Sequence, residues 1–350
     1  MRYPEFLKKG SSVGFPAPSF GANIEPYRTR LKKALELIGS KGYRTVPGEN
    51  AFKGEGVGIS NKPENCAAEL EGMYLDESID TLISCGGGEL MCEILEYIDF
   101  EKIRSAKPKL YMGYSDNTNF TFLLNTICDT AAVYGPCAGD FCGLDSVEHI
   151  DDAFSLFTGE KFEFNAYPKW ERESLVTEEK PLEPFNPMEK RVHGLYYNGE
   201  LIRDASESGV SFDFTGRITG GCMDCLVTLL GTRFDKVREF CERYKNDGVI
   251  WLIEACDLNV FGIRRAMWQM ENAGWFDTVK GFVFGRALNG GSMLNLDCFD
   301  AFLEMAKRHN VPVILDADFG HIDPMLPVLM GSVATFKVNG NEMKVKYELK

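Results

Sequence analysis

Short apolar runs alternate along the chain with segments whose apolar residues recur at helical spacing. Val13-Gly-Phe-Pro-Ala-Pro-Ser19 reads as a strand breaking into a loop, and the next segment places Tyr27, Leu31, Leu35 and Ile38 on one helical face before Gly39 and Gly42 end it. Residues 43–46, Ile79–Ser84, Leu110–Tyr114 and Ala131–Tyr134 supply further strands. Between them fall a helix opened by Pro63 and running to Asp76, one through Leu90, Ile94, Leu95 and Ile98, and one through Phe120, Leu123 and Leu124. Such alternation predicts an α/β fold with a doubly wound parallel sheet, in which chemistry gathers at the carboxyl ends of the strands.

From about Phe162 to Arg203 the periodicity fades, and Pro168, Pro181, Pro184 and Pro187 are interleaved with acidic residues. A second alternating region starts after residue 210. It holds Gly216–Gly221 with a helix to Leu230, an amphipathic helix Asp235–Tyr244, and strands at Gly248–Ile253, Val279–Phe284 and Val311–Asp316. Helices at Phe261–Trp275 and Asp297–His309 separate these strands, and two alternating strands around Asn339-Gly340 carry a hairpin signal. The expected organisation is an N-terminal α/β domain over 1–165, a linker with a substrate loop over 166–205, and a C-terminal α/β domain with a terminal β-hairpin over 206–350. The active site is expected at the domain interface.

With 350 residues, 44% of them hydrophobic, the chain is long enough to bury the cores of two domains. A net charge of −14 without any cluster of lysine or arginine would repel a phosphate backbone or an anionic membrane surface. Neither a signal-peptide-like stretch nor a run of the ~20 apolar residues needed to span a membrane is seen, so the expected location is cytoplasmic. The eleven cysteines are odd in number, and Cys128, Cys241 and Cys256 fall in apparent strand or helix interiors, which predicts reduced thiols. The sole C-x-x-C, Cys222-Met-Asp-Cys225, has no second pair and the chain holds only four histidines, so it is expected to pack on a helix without metal. No cofactor is expected.

The stretch with the clearest chemistry is Pro108-Lys-Leu-Tyr-Met-Gly-Tyr-Ser-Asp-Asn-Thr-Asn-Phe120. Ser115 falls where a buried strand gives way to a helix that Asn117 or Thr118 can cap. A tight strand-to-helix turn lifts the serine clear of the sheet and aims the first backbone N–H groups of the helix at the same point, where they can hold an oxyanion. Gly113 suits such an elbow. The G-x-S-x-G pattern would place glycine at position 117, where this chain has Asn117, a residue tolerant of unusual backbone angles. The competing reading is a serine that only caps the helix.

A serine hydroxyl is a weak nucleophile until a base takes its proton, usually a histidine oriented by a carboxylate. His149 and His309 fall on polar helix faces and His193 in a strand-like segment after the linker. His321 instead sits in Asp316-Ala-Asp-Phe-Gly-His-Ile-Asp-Pro324, just past a buried strand, where a base belongs. The competing reading is a histidine that holds that loop through Asp318 or Asp323. Glu254 closes an apolar run and must be paired if it is buried, with Asp257, Asp316 and Asp318 competing for the orienting role. Trp170, flanked by Lys169, Glu171, Arg172 and Glu173, either covers an apolar patch or offers a stacking surface to a planar ligand.

The chain resembles the LD-carboxypeptidase family of serine peptidases, which includes the microcin C immunity peptidases of MccF type. The resemblance runs through Val13–Ser19, Gly86-Gly87, Gly113–Thr118, Tyr134-Gly-Pro136, Gly220-Gly221, Gly231-Thr232, Ile253-Glu254 and Phe319-Gly-His321. It implies a metal-free Ser115, Glu254, His321 triad, an oxyanion hole from the N–H groups of Gly87 and Asp116 with Gly88 beside them, and a homodimer. Murein-recycling members resemble one another in an R-G-G-Y-G turn, where this chain has Cys85-Gly-Gly-Gly-Glu89, so the substrate-contacting set becomes Gly88, Glu89 and Trp170. By the same resemblance the substrate is a small peptide with an L,D bond or an aminoacyl-nucleotide amide, cleaved through an acyl-enzyme. Two other classes stay open: a glutaminase-like amidohydrolase using Cys85, and a non-enzymatic two-lobed small-molecule binding protein.

Overall fold

Val13, Leu82, Ile83, Tyr111, Met112 and Val133 are fully shielded from solvent, and the strands that carry them pair side by side in parallel. Ser12–Phe15 lies between Arg44–Pro47 and Thr81–Ile83, and the latter is followed by Leu110–Met112 and Ala132–Tyr134. Val328–Met330 completes this six-stranded sheet next to Ala132–Tyr134. Continuous burial rather than alternation is what a parallel sheet demands. A computed structural model describes all residues, Met1–Lys350. It divides into two compact units: Met1–Lys161 with Glu173–Asn186 and Pro327–Leu329, and Phe162–Arg172 with Pro187–Leu326 and Met330–Lys350.

In the first unit the helix Tyr27–Ser40 buries Leu31, Ala34 and Ile38, whereas Tyr27, expected on that face, is solvent-exposed. The single helix expected through Leu90–Ile98 is replaced by a 3-10 segment, Met91–Tyr97, and a separate helix, Phe100–Ser105. Asp99 is the cause of the break, because its carboxylate accepts from the N–H groups of Glu101 and Lys102 and starts a new helix there.

The second unit is built on a nine-stranded sheet. Its centre is parallel, with Ser211–Cys222, Val249–Glu254, Val279–Gly285 and Val313–Ala317 in adjacent order. Antiparallel strands flank it on both sides. Gly194–Tyr197 pairs with Val313–Ala317 and with Glu200–Ile202. On the other side Val333–Asn339 pairs with Ser211–Cys222, then with Glu342–Glu348, which in turn pairs with Glu163–Asn165. Much of the proline-rich stretch is thus wired into this sheet, while Glu173–Asn186 belongs to the first unit. The terminal hairpin closes at Asn339 opposite Glu342, with Gly340 in the left-handed conformation (φ 56°) that a two-residue loop requires. No disulfide forms among the eleven cysteines, and no helix is long and apolar enough to cross a membrane.

Trp251 anchors the core of this sheet, fully buried and stacked on Trp275 at 5.5 Å. Trp251→Ala should lower the unfolding free energy by ~3–5 kcal/mol, read from the midpoint shift in urea at unchanged slope. A shift within ~0.5 kcal/mol, the range of surface substitutions, would contradict this packing.

Candidate active site

Ser115 adopts φ 62°, the left-handed region that non-glycine residues avoid at a cost of ~1–3 kcal/mol. It lies in a single 3-10 turn, Ser115–Asn117, between the Leu110–Met112 strand and the Thr118–Thr126 helix. The surroundings hold it there. The Ser115 N–H donates to Tyr134 Oη at 3.1 Å. Asn117 does not cap the helix with its side chain. Its Nδ2 donates to the carbonyls of Tyr114 (3.0 Å) and Gly86 (2.9 Å), and its Oδ1 accepts from Tyr111 Oη at 2.5 Å. The serine elbow is thereby tied to the glycine turn.

Gly87 and Gly88 of that turn leave no room for side chains. A Cβ on Gly87 would stand 2.9 Å from Ser115 Cβ and 3.1 Å from its Oγ, and one on Gly88 would strike Ser19 Oγ at 2.2 Å. On the strand side, a Cβ at Gly113 would come within 2.8 Å of Asn117 Cγ. Glycine at 87 lets the backbone lie directly against the serine. The Asp116 carboxylate faces inward, accepting from Ser19 Oγ (2.5 Å), Met91 N–H (2.9 Å) and Asn119 Nδ2 (3.0 Å). Burial raises its pKa, and these donors partly offset the shift. Glu89 points to solvent, and its N–H donates to the Gly58 carbonyl. Cys85 is buried, its thiol donates to the Phe15 carbonyl at 3.3 Å, and desolvation pushes its pKa well up. A thiol in that state is a poor nucleophile.

In the second unit Glu254 ends the Val249–Glu254 strand with its side chain wholly buried, and its Oε2 lies 2.8 Å from His321 Nδ1. Two glycines make space for this pair. At Gly320, which adopts φ 105°, a Cβ would lie 2.7 Å from Glu254 Oε2, and at Gly285 one would meet Phe319 O at 2.1 Å and Glu254 Cβ at 3.0 Å. Burial works against the charged imidazolium of His321, but the Glu254 carboxylate and contacts with Cys256 and Glu254 hold its pKa well above the ordinary value.

The other histidines have different fates. His149, expected on a polar face, is buried against the Phe185 ring at 5.0 Å because its helix turns that side to the core, and desolvation lowers its pKa to about 4. His309 Nε2 pairs with Glu271 at 2.7 Å in a partly exposed position. His193 is fully buried with no hydrogen-bond partner for either ring nitrogen, and burial, with Arg191 and Arg286 nearby, drives its pKa to about 3. Among the competing carboxylates, Asp318 is taken by Arg286 Nη2 (2.5 Å) and the Tyr167 N–H (2.7 Å). Burial raises Asp316 to about 6.

Trp170 is half-buried, its Nε1 donating to the Lys190 carbonyl at 3.2 Å, with the Arg286 guanidinium 5.3 Å and that of Arg172 5.6 Å from the ring centroid. Sequence reasoning missed Arg286. It follows directly on the Val279–Gly285 strand, so the strand-end rule that found Glu254 would have found it too. Cys222 was also missed as a neighbour of the pair. It sits beside Glu254 in the parallel register of the two strands, and Cys256, expected inside an element, lies in the loop after the strand, half-buried.

The N-terminal domain profile of the LD-carboxypeptidases matches residues 13–135 and the C-terminal domain profile residues 215–336. The chain belongs to the LD-carboxypeptidase family. A Vibrio cholerae protein named as a carboxypeptidase is 24% identical over 99% of this chain and 98% of its own. A Bacillus subtilis protein named as a murein peptide carboxypeptidase is 23% identical over 95% and 90%. The fold is that of MccF solved in complex with glutamyl sulfamoyl guanosine, with a TM-score of 0.78 at 20% identity over 99% of this chain and 98% of that one.

A folded-state pKa raised on His321 contributes stability that is fully present below the ~6.5 of an unfolded histidine and is lost as pH rises through the folded value. The melting-temperature gap between wild type and Glu254→Gln should therefore be widest at mildly acidic pH and narrow as pH rises. A gap that grows with pH would contradict the assignment. Gly320→Ala should also destabilise, by ~1–3 kcal/mol of backbone strain plus the clash with Glu254.

Proposed function

We propose that this family member is a serine-type amide hydrolase in which Ser115 is the nucleophile, His321 the general base and then acid, and Glu254 the group that orients the imidazole. The observation that carries the reading is Ser115 itself, a non-glycine residue forced to φ 62° with its side chain against Gly87. Strain of this kind persists where a site needs one side chain exposed at a sharp turn. The buried Glu254–His321 pair supplies the matching acid–base half.

The chemistry follows from the protonation states. Glu254 accepts from Nδ1–H and so leaves Nε2 of neutral His321 as the basic nitrogen. Nε2 takes the Ser115 proton as Oγ attacks the scissile carbonyl, and the developing oxyanion is held by the N–H groups of Gly87 and Asp116. His321 then returns the proton to the leaving amine. Water, deprotonated by the same nitrogen, cleaves the acyl-enzyme. The raised pKa of His321 means that much of it is protonated near its ordinary value, so catalysis requires loss of that proton.

For the substrate, the name of the Bacillus subtilis relative favours a murein peptide cut near its carboxyl terminus. A second reading, an aminoacyl-nucleotide amide, is favoured by the glutamyl sulfamoyl guanosine bound to MccF, with Trp170 as the aromatic platform for a base.

Mass-spectrometric assay of wild type and Ser115→Ala on a murein tetrapeptide ending in D-alanine and on glutamyl sulfamoyl-adenosine separates these. Wild type should cleave one of them and Ser115→Ala should lose at least about 10³-fold in kcat with its fold intact. Retained turnover in Ser115→Ala would rule out the nucleophile. In wild type, kcat/KM should climb with pH on an acid limb centred above ~6.5, and Glu254→Gln should move that limb downward.

A further inference from the structure

We propose that Cys222, Glu254 and His321 form a binding site for a thiophilic divalent cation such as Zn²⁺, and that occupancy of this site switches hydrolysis off. One ligand atom from each, a thiol sulfur, a carboxylate oxygen and an imidazole nitrogen, lie within 4.8 Å of one another. The three come from separate elements that the fold holds in place. Cys222 ends the Ser211–Cys222 strand and is the register neighbour of Glu254 in the adjacent parallel strand. The approach is steered by glycine: Gly220 and Gly221 adopt φ 137° and 136°, and a Cβ on Gly220 would fall 1.9 Å from the Leu252 carbonyl oxygen. His321 reaches the same point from the loop after Val313–Ala317, through its 2.8 Å contact with Glu254.

The donor set suits zinc. One sulfur, one nitrogen and one oxygen are ligands it takes at ~2.0–2.3 Å, which places tetrahedral donors about 3.5 Å apart. Side-chain rotations on the order of 1 Å would close the set from its present spacing. A water molecule would complete a four-coordinate site. Cys222 and Glu254 are buried while His321 is part-exposed, so a cation enters on its side. Binding expels the Cys222 thiol proton, and the extra proton of any His321 imidazolium, to solvent and leaves the imidazole neutral and ligated. Two anionic donors against one dication make the occupied site neutral, a state that burial favours.

The cation would occupy the groups that serve as base and orienter, so the effect on turnover rests on the hydrolase reading above. The binding itself does not. Co²⁺ serves as the probe, since a thiolate ligand gives it a near-ultraviolet charge-transfer band. Metal-stripped full-length protein titrated with Co²⁺ should develop this band up to one equivalent, and Zn²⁺ should abolish it. Cys222→Ala should lose the band, and His321→Ala should weaken binding at least about tenfold, whether or not a substrate is known. With a working substrate, Zn²⁺ should inhibit wild type, a chelator should restore it, and Cys222→Ala should keep its turnover while needing at least about tenfold more Zn²⁺. If Cys222→Ala fails to fold by circular dichroism, Cys222→Ser takes its place. No band in wild type, a band unchanged in the cysteine variant, or full turnover with the site loaded would each overturn the proposal.

Discussion

A wholly buried carboxylate at the end of an apolar strand is the constraint on which the second unit depends. Val249–Glu254 is shielded along its full length, and an ionised side chain in such surroundings costs several kcal/mol unless it is paired. The pairing with His321 in turn dictates the loop that presents the histidine. Gly320 must be glycine because its φ of 105° and the lack of a Cβ let the chain pass over Glu254 Oε2, and Gly285 must be glycine because Phe319 O presses on it. Three strand ends and one loop are arranged around a single hydrogen bond. The next carboxylate along that loop, Asp318, has its own cation in Arg286, so Glu254 and Asp318 do not compete for the imidazole.

The first unit meets the opposite difficulty: it must hold a small polar side chain in a backbone conformation that costs free energy. Ser115 is over-determined by contacts that do not involve its hydroxyl chemistry. The Asn117 amide bridges the elbow to the Gly86 carbonyl, Tyr134 accepts from the Ser115 N–H, and Asp116 is locked by three donors. Removing any one leaves the others in place, which is how a strained residue survives in a fold of marginal stability.

Both halves were partly legible in the sequence, for different reasons. The parallel strands could be read because buried strands are continuous apolar runs, and Glu254, His321 and Ser115 stood out because polar residues at the ends of such runs need a reason to be there. The Asp99 break between Met91–Tyr97 and Phe100–Ser105 was not read, because an apolar repeat carries across a cap that only the hydrogen bonds reveal. The strands at Glu163–Asn165 and Gly194–Tyr197 lie in proline-rich sequence and gain their order from pairing with distant partners, which local propensity cannot register. His149 shows the same limit: a polar residue in a helix was assigned to its polar face, and the Phe185 ring that covers it comes from a segment far along the chain.

Eleven thiols and one candidate serine pose the question of which nucleophile the fold has prepared. The thiolate is the reactive form of cysteine, and lowering its pKa takes a nearby cation, a helix N-terminus or a metal. Here burial acts the other way. It pushes Cys128 and Cys298 up to about 12 and raises Cys85 and Cys137 well above the usual range. Cys222 is raised as well, by its contact with Cys225, by burial and by the Glu254 charge beside it. The carboxylate paired with His321 therefore adds to what keeps this sulfur protonated. Serine, which needs no ionised ground state when a base stands ready, escapes that penalty. The same argument inverts when a dication is present: its charge outweighs that of Glu254, the sulfur ionises, and the groups that suppress thiol chemistry become ligands.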